Sequence, residues 1–476
     1  MKFPTELFID GEPRAGSSGR RTPQINPATE TVLCEVASAA TADVEAAVKT
    51  AHLTFEQHGR SLAHGKRAEI LFRVAALIRE NLEDLAQLEM LNIGKPISDA
   101  RDEIALGARV FEYYAGAVAT FFGQTIPVAR GGLDFTLRQP LGVVAAIVPW
   151  NFPFPIACWK VAPALAAGNT VVLKPASCSP LTALRLGALV ARAGAPPGAL
   201  QVVPGAGADI GRQLVQHPLI RKISFTGSTA VGRQIMEWAA PDLKRISLEL
   251  GGKSPNIVFA DCDLEAAASS SPLSVFGNAG QDCCARSRVF VEQTVFDRFV
   301  ERFVTATKSL VVGDPSNPRT QIGPLVSKTQ RETVEKLLGT LDPKRHRIAC
   351  GGQRAPGPGF FLPPTVVLGC EPTDKIWREE VFGPVVCLRP FANETHMLRE
   401  VNDSPYGLSG SIWTNDLKRA LRVARQVESG VLSINSHSSV HVEAPFGGFK
   451  QSGFGRDLGM TALEGYTELK NIFVAE

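Results

Sequence analysis

From residue 143 onward the sequence alternates short apolar runs with longer periodic stretches, and that alternation constrains the fold more than any other feature. The spacing predicts strand Val143–Val148, helix Pro155–Ala167, strand Thr170–Leu173, helix Leu181–Ala193, strand Leu200–Val203, helix Ile210–His217, strand Lys222–Phe225 and helix Thr229–Ala239. Strands separated by helices of roughly ten to fifteen residues feed parallel sheets covered on both faces. A second series follows Glu249, with strand Asn256–Phe259, helix Leu264–Val275, strand Arg288–Val291, helix Thr294–Lys308, strand Val385–Phe391 and helix Glu394–Asn402. The fold class is therefore α/β, with two parallel-sheet domains that join near Leu248–Lys253. The first hundred residues read as helical, with periodic apolar positions in Arg67–Glu89 and Ala100–Tyr114. Two β-rich pieces, Ala119–Gln139 and Thr467–Val474, belong to neither series and are expected to pair with each other or with another subunit.

At 476 residues the chain exceeds one ordinary core. Its net charge of +3 is spread thinly, which leaves no electrostatic footprint for nucleic acid or an anionic membrane. The apolar segment Leu141–Leu173 is broken by Pro149, Pro153 and Pro155 and interrupted by Asn151 and Lys160, so it falls short of the roughly 20 residues a membrane span needs. The N-terminus lacks the pattern of a secretion signal, and a cytoplasmic protein is expected. Nine scattered cysteines fit reduced thiols better than a disulfide framework, and no Cys or His pair has zinc-finger spacing, so no metal is expected.

Several short stretches carry residues suited to chemistry. Gly227-Ser228-Thr229-Ala230-Val231-Gly232 follows a strand and opens a helix, where backbone amides and a close-approach glycine make either an anion site or an ordinary connector. The turn Gly205–Gly211 has similar glycines, but its last spacing is too long for the usual dinucleotide fingerprint. Lys174 ends a strand at the edge where ligands of parallel sheets bind, and could meet a ribose or phosphate or simply be solvated. Glu249 sits in an apolar strand end before Gly251 and Gly252, either paired in the core or poised with a raised pKa as a base. Asn151 is a turn residue or an amide aimed at developing negative charge. Cys283 and Cys284 lie side by side in a loop flanked by Asp282 and Arg286, and one of the two is a candidate reactive thiol.

Taken together, "PWNFP" (149–153), "KPAS" (174–177), "FTGSTAVG" (225–232), "LELGGK" (248–253), "GQDCCA" (280–285), "EEVFGPV" (379–385) and "PFGGFKQSGFGRDLG" (445–459) occur in an order and spacing that resemble the aldehyde dehydrogenase superfamily, in its hydrolytic branch. The resemblance runs from "INPATE" (25–30) to "YTELKNI" (466–472). It implies that Cys283 is the nucleophile, that Asn151 and the Cys283 amide hold the oxyanion, and that Glu249 activates water to hydrolyse a thioester. It implies NAD or NADP as cofactor, with Gly227, Ser228 and Gly232 at the pyrophosphate and Lys174 and Ser177 at the adenine ribose. Ile147 and Trp150 would border the adenosine, with Glu380 at the nicotinamide ribose and Phe382 near the ring. Phe152, Trp159, Asp282, Cys284, Val440 and Phe446 would wall the substrate tunnel. A cofactor domain (1–118 and 141–249), a catalytic domain (250–452) and an oligomerisation arm (119–140 and 453–476) follow from the same resemblance, as does a homodimer or homotetramer.

Many NAD-preferring members carry Glu three residues after the lysine, where this chain has Ser177, and loss of that like charge is expected to admit NADP. Asp102, Glu103, Asp282 and Glu443 lie near positions able to reach the tunnel or its mouth, with few basic residues beside them. That pattern points to a cationic aldehyde such as an aminoaldehyde. Phe152, Phe154 and Trp159 suit aromatic or aliphatic aldehydes equally.

Overall fold

A computed structural model describes residues 2–59, 61–354 and 356–475. The first βα series forms strands β1 (Val143–Ile147), β2 (Thr170–Lys174), β3 (Leu200–Val202), β4 (Ile220–Thr226) and β5 (Arg245–Glu249). Helix α1 (Pro153–Ala166) links β1 to β2, and helix α2 (Thr229–Ala239) links β4 to β5. In space these strands run β3-β2-β1-β4-β5, all parallel, with Leu7–Ile9 antiparallel to β3 and Gly453–Phe454 antiparallel to β5. The chain moves outward from β1 to β3 and then returns to the other side of β1. The order thus reverses between β1 and β4, and a crevice opens at their carboxyl ends.

The second series forms β6 (Pro255–Val258), β7 (Arg288–Glu292), β8 (Thr365–Leu368), β9 (Val385–Phe391), β10 (Ser409–Trp413) and β11 (Val431–Ile434). They lie in the order β8-β9-β7-β6-β10-β11, parallel throughout, with Arg347–Cys350 antiparallel on the β8 edge. Every residue of β1, β2, β6, β8 and β10 is buried. Layers on both faces explain why strands such as Val143–Ile147 and Thr365–Leu368 read as apolar runs without alternation. Among the described residues no helix is long and apolar enough to cross a membrane.

The two β-rich orphans pair with each other. Leu133–Pro140 runs antiparallel to Thr467–Val474 over its whole length, with Thr125–Ile126 on its other side.

Elsewhere the structure corrects the sequence reading. The first forty residues hold four strands, Leu7–Ile9, Glu12–Arg14, Arg21–Ile25 and Val32–Ala37, where helix was expected. Asp10 and Gly11 both have positive φ (59° and 79°) and close a tight hairpin between the first two. An Asp-Gly pair is the strongest short-range signal for such a turn. Helix Leu264–Val275 stops at Ser270, before Pro272, and resumes as Leu273–Phe276. The periodic stretch from Arg67 to Glu89 divides at Asn81 into His64–Glu80 and Leu82–Ile93. Residues 453–464, assigned above to the arm, instead belong with the first sheet: Gly453–Phe454 joins it, and Ala462 and Leu463 of helix Gly459–Glu464 pack in the core that also contains α1.

Candidate active site

β5 ends at Glu249 and β6 begins at Pro255, so residues 250–254 carry the chain straight from the carboxyl edge of the first sheet to the amino edge of the second. The loop entering the amino end of β7 therefore faces the carboxyl ends of β1, β4 and β5. That loop contains both cysteines. Its approach is strained, with Asn278, Ala279 and Gly280 at φ of 51°, 55° and 72°. Left-handed backbone at non-glycine residues survives only where surroundings enforce it. Here the enforcement is a net of amide groups. Asn278 Nδ2 donates to Asn151 O at 2.9 Å, Gln281 Nε2 donates to Asn278 O at 3.0 Å, and Gln281 Oε1 accepts from Val326 N at 2.9 Å. The Asn151 side chain completes it by donating from Nδ2 to Gln281 O at 2.9 Å.

The loop is polar in sequence, yet Gln281, Cys284 and Arg286 are buried and Cys283 is half-buried. Its polar side chains turn inward because they satisfy its own backbone. Ala285 N donates to Asp282 O at 3.1 Å and closes a turn with both cysteines at its centre. A hydrogen bond with the Cys284 thiol, followed by burial and the negative charge of Asp282, pushes the Cys283 thiol well above its ordinary pKa.

Glu249 is buried, and neither carboxylate oxygen has a hydrogen-bond partner among the described residues. Burial first, and then Asp457, raises its pKa well above the usual carboxylate range, against the pull of Lys160 and Arg456. A Cβ on Gly447 would lie 2.6 Å from Glu249 Oε1, so glycine there makes room for the carboxyl group. Beneath it Lys160 Nζ and Asp457 Oδ2 form a buried ion pair at 2.9 Å.

The same carboxyl edge carries a second group of buried polar residues. Thr226 Oγ1, at the end of β4, is buried without a partner among the described residues. The next amide, Gly227 N, donates to Glu249 O at 3.0 Å, which ties this turn to the candidate base. Ser228 caps α2, and side chains at 227 or 232 would collide with Phe225 and Leu250 at 2.5 and 2.7 Å. Lys174 ends β2 and is buried, its Nζ donating to Pro175 O at 3.2 Å, and burial lowers its pKa to about 8. Ser177 Oγ donates to Gly205 O at 3.1 Å. Glu380 Oε1 accepts from Gly252 N at 2.9 Å, and burial raises its pKa to about 7. A glycine-bearing helix N-terminus beside an unpaired hydroxyl and a buried amine suits a dinucleotide pyrophosphate and ribose. Trp150 packs edge-on against Phe382 with centroids 5.2 Å apart, so two residues expected at opposite ends of the cofactor form one aromatic corner near Ile147.

On the opposite side the expected tunnel residues gather around one apolar core. Trp159, Cys284 and Phe446 are buried in it, and Phe152, Cys283 and Val440 pack against it. Trp159 and Phe446 lie 5.4 Å apart. The acids proposed for a cationic substrate are otherwise engaged. Glu103 pairs with the buried Lys95 through both carboxylate oxygens, Glu443 pairs with Arg109 at 3.1 Å, and Asp282 Oδ1 accepts from Cys284 N at 2.8 Å. Asp102 is exposed. Sequence reasoning missed Lys95, which donates to Asn151 O at 3.0 Å and lies 4.1 Å from the Phe152 ring centroid. Its only trace was a lysine between Gly94 and Pro96 in an otherwise apolar stretch.

A family model described as the aldehyde dehydrogenase family matches residues 14–472. The chain is 41% identical over 474 residues to retinal dehydrogenase 2 of Homo sapiens, covering 99% of this chain and 92% of the relative. It is 42% identical over 476 residues to betaine aldehyde dehydrogenase 1 of Oryza sativa subsp. japonica, with coverage of 98% and 94%. A solved indole-3-acetaldehyde dehydrogenase of P. syringae, in complex with NAD+ and IAA, superposes with a TM-score of 0.98 at 40% identity, covering 100% of this chain and 97% of that one. The NAD+ complex of an aldehyde dehydrogenase from Bacillus cereus gives 0.97 at 40% identity, covering 99% and 96%.

Proposed function

This chain belongs to the aldehyde dehydrogenase family, and on that premise we propose that it oxidises a neutral, apolar aldehyde to the carboxylic acid with NAD+ or NADP+, using Cys283 as nucleophile, Asn151 as oxyanion donor and Glu249 as base. The observation that carries the reading is Glu249, a buried carboxyl group with no hydrogen-bond partner among the described residues, at the carboxyl edge that the half-buried Cys283 loop faces. Once deprotonated, Cys283 Sγ bonds to the aldehyde carbon and the carbonyl oxygen takes up the negative charge. Asn151 Nδ2 spends one N–H on Gln281 O and keeps the other for that oxyanion, beside the Cys283 backbone amide. The C–H bond of that adduct then breaks as the oxyanion's electron pair re-forms C=O, leaving a thioester on Cys283, and bound NAD(P)+ would supply the hydride acceptor. Gly227, Ser228, Lys174 and Glu380 would hold it. Glu249 then takes a proton from water as the water oxygen attacks the thioester carbon, and the Cys283 thiolate leaves with the acid released.

The apolar wall of Phe152, Trp159, Val440 and Phe446 supports a neutral substrate, because Glu103 and Glu443 are already neutralised by Lys95 and Arg109. The paired strands Leu133–Pro140 and Thr467–Val474 support a homodimer or homotetramer, since they present Leu137, Leu469 and Phe473 to solvent. Nine free cysteines support a reducing, cytoplasmic setting. A panel of neutral, cationic and anionic aldehydes assayed with NAD+ and NADP+ tests the reading. Carboxylic acid formed fastest from neutral aliphatic or aromatic aldehydes is the expected result. Preference for an aminoaldehyde would overturn the substrate assignment, and cofactor-independent turnover would overturn the chemistry.

A further inference from the structure

We propose that Asp282 and Arg286 act together as positioning residues for the nucleophile, gripping the backbone on either side of Cys284 and tying the turn that presents Cys283 to the wall of the substrate channel. The inference rests on the assignment of Cys283 as nucleophile. Cys284 N donates to Asp282 Oδ1 at 2.8 Å, and Arg286 Nη1 donates to Cys284 O. An anionic acceptor on the N–H and a cationic donor on the carbonyl hold the two successive peptide groups that flank the Cys284 Cα with two charge-assisted hydrogen bonds.

Arg286 is only 2% exposed and ranks first by volume among the fully buried side chains, yet no carboxylate lies within ion-pair distance of it among the described residues. Burying an unpaired guanidinium is expensive, so a residue chosen only to fill this space would be neutral. Its remaining contacts show where its donors go. Nε donates to Ser411 Oγ on β10 at 3.1 Å, and Nη2 donates to His437 O at 3.3 Å. His437 lies in the loop that carries Val440, so one planar fork joins the thiol's turn, the second sheet and the channel wall. Lysine lacks the geometry for three divergent acceptors. The charge also acts on the thiols, as theirs acts on it. Cys284, Asp282 and Glu380 bear electrostatically on Cys283, Lys95 on Asp282, and Cys284 on Glu249. His437 adds no competing charge, because burial and then Arg286 push its pKa down to about 3.

The test compares Arg286→Met, Arg286→Lys and Asp282→Asn in the full-length enzyme. Two quantities are read: the pH dependence of Cys283 carbamidomethylation by iodoacetamide, located by peptide mass spectrometry, and kcat and KM for a neutral aldehyde. Arg286→Met should move the alkylation profile about one pH unit upward and lower kcat about tenfold or more, with KM for the cofactor held within about twofold. Arg286→Lys should restore the profile but not kcat, separating charge from the fork. Asp282→Asn should move the profile downward. Wild-type profile and kcat in Arg286→Met would overturn the proposal. Should that variant fail to fold, Ser411→Ala removes one anchor and keeps the charge, so a lower kcat with an unshifted profile is expected, and wild-type kcat would overturn it. Activity surviving in Cys283→Ala would sink the nucleophile assignment itself, whereas its loss alongside an unaffected Arg286→Met sinks this inference alone.

Discussion

Glu249, the proposed base, holds a buried carboxyl group with no hydrogen-bond partner among the described residues, which costs stability. Its folded-state pKa lies above the unfolded value, so its contribution to stability is complete below the ordinary carboxylate range and is lost as pH rises toward the folded value. Glu249→Gln should therefore raise Tm over the wild type, with a larger gain at pH 8 than at pH 5 by calorimetry. The same variant keeps the nucleophile and loses the base. Rapid mixing should show one burst of reduced cofactor followed by a stall at the thioester. The Cys283 thiol is held up chiefly by its hydrogen bond with Cys284. Cys284→Ala should move iodoacetamide labelling of Cys283 to lower pH and leave most activity, whereas Cys283→Ala should abolish oxidation. At this scale sequence motifs named both cysteines, Glu249 and Asn151, because each sits in a short contiguous string. They could not reveal Lys95 or Asp457, whose partners are Asn151 and Lys160, far away in the chain. Nor could they show that Glu103 and Glu443 pair with Lys95 and Arg109, the pairing on which the neutral-substrate proposal leans.

Among the elements, the tightest is the run Asn278–Gly280 with its three left-handed residues. A Cβ on Gly280 would lie 2.1 Å from Gly383 O, and its φ of 72° adds strain for any side chain. Gly280→Ala should cost about 2 kcal/mol or more in urea denaturation and remove activity with it. The turn after β2 makes a different prediction. If Ser177 faces the adenine ribose, Ser177→Glu should raise selectivity for NAD+ over NADP+ about tenfold through repulsion of a 2′-phosphate. An unchanged ratio of kcat/KM values would place residue 177 elsewhere, in line with its present bond to Gly205 O. The βα alternation was legible because each unit repeats one hydrophobic pattern at one spacing, and helix Thr229–Ala239 and strand Val385–Phe391 match residue for residue. The N-terminal strands were not, since Leu7–Ile9 and Glu12–Arg14 are too short for a period to register and only the Asp10-Gly11 turn betrays them.

Across the whole molecule, the antiparallel pair Leu133–Pro140 and Thr467–Val474 leaves Leu469 at 58% and Phe473 at 48% exposure. Replacing both with lysine should yield a species of lower mass in sedimentation velocity, with helix content unchanged by circular dichroism. The pairing of these two segments was anticipated because neither fits a βα series. The assignment of 453–464 to the same arm was not upheld, because a strand as short as Gly453–Phe454 carries no pattern of its own. Glu249 pairs with Gly453, Lys160 with Asp457 and Asn169 with Tyr466 O, so the floor beneath Glu249 is a closure between segments far apart in the chain. Order around that carboxyl group is therefore set at a distance: whatever loosens residues 453–466 loosens the floor of the pocket with them.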